Sequence, residues 1–198
     1  LWIGIGGDKS VSIPGIRTFA ERHGAGAGIV WFDAHPDLFG SYDGNPDSHA
    51  CALRRAMTLA QIPPARVLLL ATRSFSTEEN RFIRDNQISI ITAHDWLKGT
   101  TEEVAGKILE WGRNLTAVYL AVDIDGFDAS CAPGTGYPMP GGIGSEDFFS
   151  LLERICETLP VRAMDLTEIA PRLDTNDRTG FLGVQIILET LGAIGKAG

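Results

Sequence analysis

Long apolar runs are missing from this sequence. None approaches the ~18 consecutive residues that a membrane-spanning helix requires. Basic charge is scarce as well, with 17 Lys and Arg against 25 Asp and Glu and a net charge of −8. Nucleic-acid binders are usually basic, so that partner is disfavoured and none is expected, while a small cationic substrate would be attracted. Cysteine is rare: Cys51, Cys131 and Cys156 are odd in number and widely spaced. They read as free thiols of a reducing, cytoplasmic compartment, and as small apolar fillers rather than as a disulfide framework. No basic stretch followed by an apolar one opens the sequence, so no signal peptide is expected. Low-complexity segments, internal repeats and interdomain linkers are also absent.

What is present is a chain of 198 residues, 44% of them apolar, in which apolar runs alternate with amphipathic stretches. That suits one globular domain with a sizeable core. Strands are predicted at Trp2–Ile5, Gly28–Phe32, Val67–Ala71, Ser89–Thr92, Ala117–Val122 and Val161–Leu166. Nearly continuous apolar character marks strands covered on both faces. Helices are predicted between them. Pro14 and Gly24 bracket one, Ser48 opens another towards Leu59, and Ser76/Glu79 and Thr100/Glu103 have capping-box spacing. Glu146 and Asp147 suit the start of a helix running to Leu159, and a last helix covers about 178–191, with Gly195 and Gly198 fraying its end. The alternation implies an α/β fold, a three-layer αβα sandwich around a mainly parallel sheet. The first five residues read as a buried strand already under way, which implies an N-terminally incomplete domain over 1–198. A sheet lacking its first strands would expose an apolar edge and call for partner burial.

Polar chemistry gathers where strands end, the place where parallel sheets bind ligands. Trp31-Phe32-Asp33-Ala34-His35-Pro36-Asp37 carries three metal-ligand types at alternate residues, which share one side of an extended backbone. Leu120-Ala121-Val122-Asp123-Ile124-Asp125 repeats the design. Carboxylates this close repel unless a cation lies between them, and hard oxygens with imidazole suit Mn-type ions rather than structural zinc. A lone acid at a strand end is as often a cap or a solvated turn. The set, with Gly6-Gly7-Asp8-Lys9-Ser10 and Asp165-Leu166-Thr167-Glu168, is too crowded for that. The Gly- and Pro-rich loop from Gly126 to Gly144 follows the second acidic pair and reads as a site-building loop.

Asp33-Ala34-His35-Pro36-Asp37 resembles the DAHxD motif of the ureohydrolase family, which includes arginases, agmatinases and formimidoylglutamases. Asp123-Ile124-Asp125-Gly126-Phe127-Asp128 resembles its DxDxxD motif, and Glu168 to Pro171 its xExxP segment. The resemblance implies an arginase-like αβα fold, a binuclear Mn²⁺ site (Ni²⁺ or Co²⁺ as alternatives) and hydrolysis of a guanidino C–N bond. It implies that Asp33 and Asp123 bridge two ions, that His35 and Asp125 complete one shell, and that Asp37 binds the other ion and shares in catalysis. It also implies that Glu168 pairs with the guanidinium, that His49 shuttles a proton, and that the protein forms a homo-oligomer, a trimer or hexamer. His23 and His94 lack such context and read as surface or helix-end residues. Arg54-Arg55 reads as a solvated face or an intersubunit contact.

The sequence departs from the family at its first motif. GGDHS becomes Gly6-Gly7-Asp8-Lys9-Ser10, with Lys9 where a metal-binding histidine is implied. Three arrangements follow: a neutral lysine amine as ligand, a weakened first metal site, or an ammonium in place of that ion. The second is the one favoured from sequence. Ala50 after His49, Tyr137, and Ser76 in Arg73-Ser74-Phe75-Ser76 also depart from arginases, which weakens the case for ordinary arginine among the arginine-, N-hydroxyarginine- and agmatine-like substrates and keeps shorter guanidino acids open. The alternatives are a formimidoylglutamase-type hydrolase and a catalytically impaired homologue with a binding role.

Overall fold

In a computed structural model, which describes residues 1–197, six parallel strands form one sheet in the order β1-β6-β5-β2-β3-β4. The strands are β1 (Trp2–Ile5), β2 (Ala27–Phe32), β3 (Val67–Thr72), β4 (Ser89–Thr92), β5 (Ala117–Asp123) and β6 (Val161–Thr167). The helices are α1 (Ser12–His23), α2 (Ala52–Ala60), α3 (Thr77–Asp85), α4 (Ala93–Lys98), α5 (Thr101–Gly112), α6 (Ser145–Thr158) and α7 (Arg178–Ala197).

Each central strand alternates its side chains between two cores. Ile29, Trp31, Leu69, Tyr119 and Ala163 meet α1, α2 and α3 on one face through Ile16, Phe19, Leu53, Ala56 and Ile83. Val30, Phe32, Leu70, Leu120 and Met164 meet α4 to α7 on the other through Trp96, Ile108, Leu152 and Ile186. This is the three-layer architecture expected, with β2, β3 and β5 buried along their whole length. From β2 the chain winds outwards through β3 to β4, then returns to β5 and winds the other way to β6. The adjacent strands β2 and β5 therefore frame the switch point, where the crevice of such a sheet opens.

Local signals act as read at several ends. Ser76 with Glu79 and Thr100 with Glu103 form true capping boxes. Thr92 and Asp95 form another, opening α4, a helix the apolar pattern did not reveal because it has only 6 residues. Four expectations need correction. The opening strand is not buried: β1 is a sheet edge with Trp2 and Ile5 exposed. The segment after Ser48 begins as a 3-10 turn at His49–Cys51, and α2 starts only at Ala52. The last helix passes through Gly195 to Ala197, because α6 packs against it, while Gly198 lies outside the described residues. Asp33 to Asp37 is not extended, since β2 ends at Phe32 and the chain bends at once, reaching φ 49° at Asp37.

Candidate functional site

The bend after β2 and the 3-10 turn after β5 use the same device. The His35 N–H donates to Asp33 Oδ1 at 2.7 Å, and the Asp125 N–H donates to Asp123 Oδ1 at 2.9 Å. Each first aspartate thus folds its own backbone back, a turn these short acids form readily. The two turns are then tied together. The Ala34 N–H donates to Asp125 Oδ1 at 3.1 Å, and His35 Nδ1 lies 3.0 Å from Asp125 Oδ2 and 3.6 Å from Asp33 Oδ1. Side-chain convergence therefore comes from hydrogen-bonded turns across the switch point, not from alternation along a strand.

A cavity of about 230 Å³ opens above these turns. Each residue given a metal or catalytic role by the family resemblance lines it: Asp33, His35, Asp37, Asp123, Asp125, His49 and Glu168. Lys9, Phe39, Tyr42, Phe75 and Tyr137 also line it, with Ser74, Ser76 and Glu79. Glu168 adopts φ 65°, a left-handed conformation costly for a glutamate and frequent at functional sites. Its N–H donates to the Gly7 carbonyl at 2.7 Å, and its Oε1 accepts from the Lys9 N–H at 2.8 Å. A larger groove along β1, lined by Leu1, Trp2 and Phe19, contains none of these ligand candidates.

The acids sit in a setting hostile to negative charge. Burial, with the Asp125 charge beside it, pushes Asp33 up to about 7. Burial and neighbouring carboxylates raise Asp37 and Asp123 well above the usual range, and burial raises Glu168. Burial would lower His35, yet hydrogen bonds to Asp125 and Asp33 outweigh it and push the imidazole up to about 11. This is the electrostatic signature of a site short of positive charge. The ligand atoms of Asp33, His35 and Asp125 lie within 4.8 Å of one another, so this nest of oxygens and one imidazole fits a divalent ion.

On the opposite side of Asp33 and Asp123 the fit fails. There the Lys9 Nζ lies 3.7 Å from Asp33 Oδ2 and 3.9 Å from Asp123 Oδ2, with only 1% of the side chain exposed.

Two further residues shape the site. Asp128, third acid of its motif, stays out of the cavity. It accepts from the Ser130 N–H and hydroxyl and from the Gly141 and Gly142 N–H groups, which, with the serine hydroxyl bond foremost, hold its carboxyl at about 2. Gly142 must be glycine, because a Cβ would lie 2.4 Å from the Phe127 backbone. Arg73 was missed from sequence. Its guanidinium donates to the carbonyls of Ala71, Asp125, Gly126, Phe127, Met139 and Pro140, at 2.7–3.3 Å. A single arginine at a strand end carries no periodic signal, so only the folded loop reveals it. Arg54 and Arg55 pair within the chain, with Glu78 at 3.3 Å and Asp47 at 2.7 Å.

A parallel sheet with a carboxylate-and-imidazole nest at its switch point defines an α/β protein whose donor set suits a cation. Comparison with known proteins narrows the class: the arginase family model matches residues 1–192, and the chain belongs to that family. It is 33% identical to the agmatinase of Bacillus subtilis, over 96% of this chain and 62% of that protein. It is 30% identical to proclavaminate amidinohydrolase of Streptomyces clavuligerus, over 98% of this chain and 61% of that protein. The solved structure of that amidinohydrolase superimposes with a TM-score of 0.90, covering 99% of this chain and 65% of the other. Arginase from Bacillus subtilis superimposes with a TM-score of 0.88 at 26% identity, covering 96% and 70%.

Proposed function

We propose that this chain is the catalytic part of a metal-dependent amidinohydrolase acting on a small cationic guanidine, with Mn²⁺ as the preferred ion. The observation that carries this is the single cavity joining the Asp33–His35–Asp125 nest to Glu168 and His49. When bound, a divalent ion supplies the positive charge that acidifies a water nucleophile. Asp33, His35 and Asp125, with Asp123 beside them, would hold it there, and Asp37 would add negative charge. Glu168, aimed by two backbone hydrogen bonds, accepts the guanidinium N–H groups, which a carboxylate can take in parallel. His49 delivers a proton to the departing amine. Water oxygen adds to the guanidinium carbon, the C–N bond to the alkyl amine breaks, and urea and an ammonium product leave.

The wall favours an agmatine-like substrate over an amino acid. Phe39, Tyr42, Phe75 and Tyr137 offer apolar area to an alkyl chain, and the only Lys or Arg among the lining residues is the buried Lys9. Urea release after Mn²⁺ loading tests the reading on agmatine, 4-guanidinobutyrate, arginine and N-hydroxyarginine. Turnover with agmatine in front is expected. No release from any guanidine by a folded, metal-loaded chain overturns it.

A further inference from the structure

The Lys9 side chain lies where a polar group is hardest to keep. It is 1% exposed, and Nζ has no hydrogen-bond partner among the described residues. Asp33 Oδ2, one of the two oxygens it faces, is likewise without a partner. A buried ionic group survives only with compensating charge. Lys9 has that from three directions. Asp33 lies on one side and Asp123 on the other, and the Trp31 ring lies beneath, its centroid 4.3 Å from Nζ. An indole face is the most favourable aromatic partner for a cation.

The acids divide their oxygens between two cation positions. Asp33 turns Oδ1 towards His35 and Oδ2 towards Lys9. Asp123 uses Oδ1 to accept the Asp125 N–H and turns Oδ2 towards Lys9. One position is the nest of Asp33, His35 and Asp125, rich in ligand atoms. The other is filled by Nζ, which offers three donors and no acceptor while protonated. A divalent ion placed there would meet the ammonium across the same two Oδ2 atoms, with like-charge repulsion in a buried setting.

We propose that Lys9 is a built-in monovalent cation that replaces one ion of a pair, so that the site takes a single divalent ion, in the nest of Asp33, His35 and Asp125. This rests on the metal-hydrolase reading above and sharpens it, replacing the weakened first site favoured from sequence with a permanently occupied one. Lys9 is a positioning residue. It neutralises and spaces the shared acids and leaves the nucleophile to the single ion.

The test is metal stoichiometry with a spectroscopic readout. Wild-type chain and Lys9→His are loaded with Mn²⁺, desalted, and measured by elemental analysis and by electron paramagnetic resonance. One Mn²⁺ per wild-type chain with a six-line mononuclear signal is expected, and two per Lys9→His chain with an exchange-coupled signal. If Lys9→His fails to fold, the wild-type stoichiometry and line shape decide alone. Two coupled ions in the wild type would overturn the inference while leaving the hydrolase reading intact. No ion in either protein, across Mn²⁺, Ni²⁺, Co²⁺ and Zn²⁺, would overturn the inference together with the hydrolase reading.

Discussion

The Lys9 backbone N–H donates to Glu168 Oε1 at 2.8 Å, joining the chain just after β1 to the chain just after β6. The residue whose side chain faces the acids thus aims, through its backbone, the carboxylate that faces the ligand space. Substitutions of the Lys9 side chain leave that bond in place.

Glu168→Gln keeps the shape and the acceptor for Lys9 but removes the charge. Losing a charged hydrogen-bond acceptor costs about 1.5–3 kcal/mol, roughly a ten- to hundredfold loss in kcat/KM on a guanidinium substrate. Metal content should not change. Steady-state urea release with elemental analysis checks both, and unchanged kcat/KM would remove Glu168 from substrate binding.

His49→Ala should lower kcat more than it raises KM, by roughly 10²–10⁴ if the imidazole carries a proton in the rate-limiting step. The residue lines the cavity from a 3-10 turn and caps nothing through its side chain, so the melting temperature should hardly move. A kcat within twofold of wild type would rule out the proton role.

Stability of the metal-free chain should fall as pH rises. A carboxyl raised to about 7, as at Asp33, stabilises the fold below its ordinary value of 3.8 and loses that contribution as pH passes 7. His35, raised from 6.5 to about 11, acts in the same direction across pH 6.5–11. Thermal melts from pH 5.5 to 8.5 should show Tm dropping on the order of 5 °C, and Mn²⁺ should flatten the curve. A rising Tm over that window would contradict the charge distribution described.

Arg73→Met should destabilise the loop before it touches the sheet. Removing the guanidinium leaves carbonyls of residues 125–140 without their donor, at a cost of about 2–4 kcal/mol. Denaturant unfolding measures the loss. Limited proteolysis should cut first between 128 and 144, and cleavage elsewhere would deny Arg73 its stapling role.

Strand positions were readable because β2, β3 and β5 are buried on both faces and carry the unbroken apolar runs that this requires. The acids and His35 were readable as chemistry because they follow those runs directly. Their geometry was not, since Asp33 and Asp123 bend the chain with their own carboxylates. Arg73 and α4 escaped for opposite reasons: the first acts through distant backbone carbonyls, and the second is too short to show a period. Lys9 was visible as a misfit, but only its distances to Asp33, Asp123 and Trp31 give the misfit a place.

The Arg73 staple also bears on how such a cavity could change its ligand. Tyr137 and its neighbours hang from a loop held at the Asp125–Phe127 and Met139–Pro140 carbonyls by a side chain from the end of β3. One guanidinium thus fixes both the backbone of Asp125 and the two ends of the loop, so residues between those ends can be exchanged while the frame that carries the acids stays put.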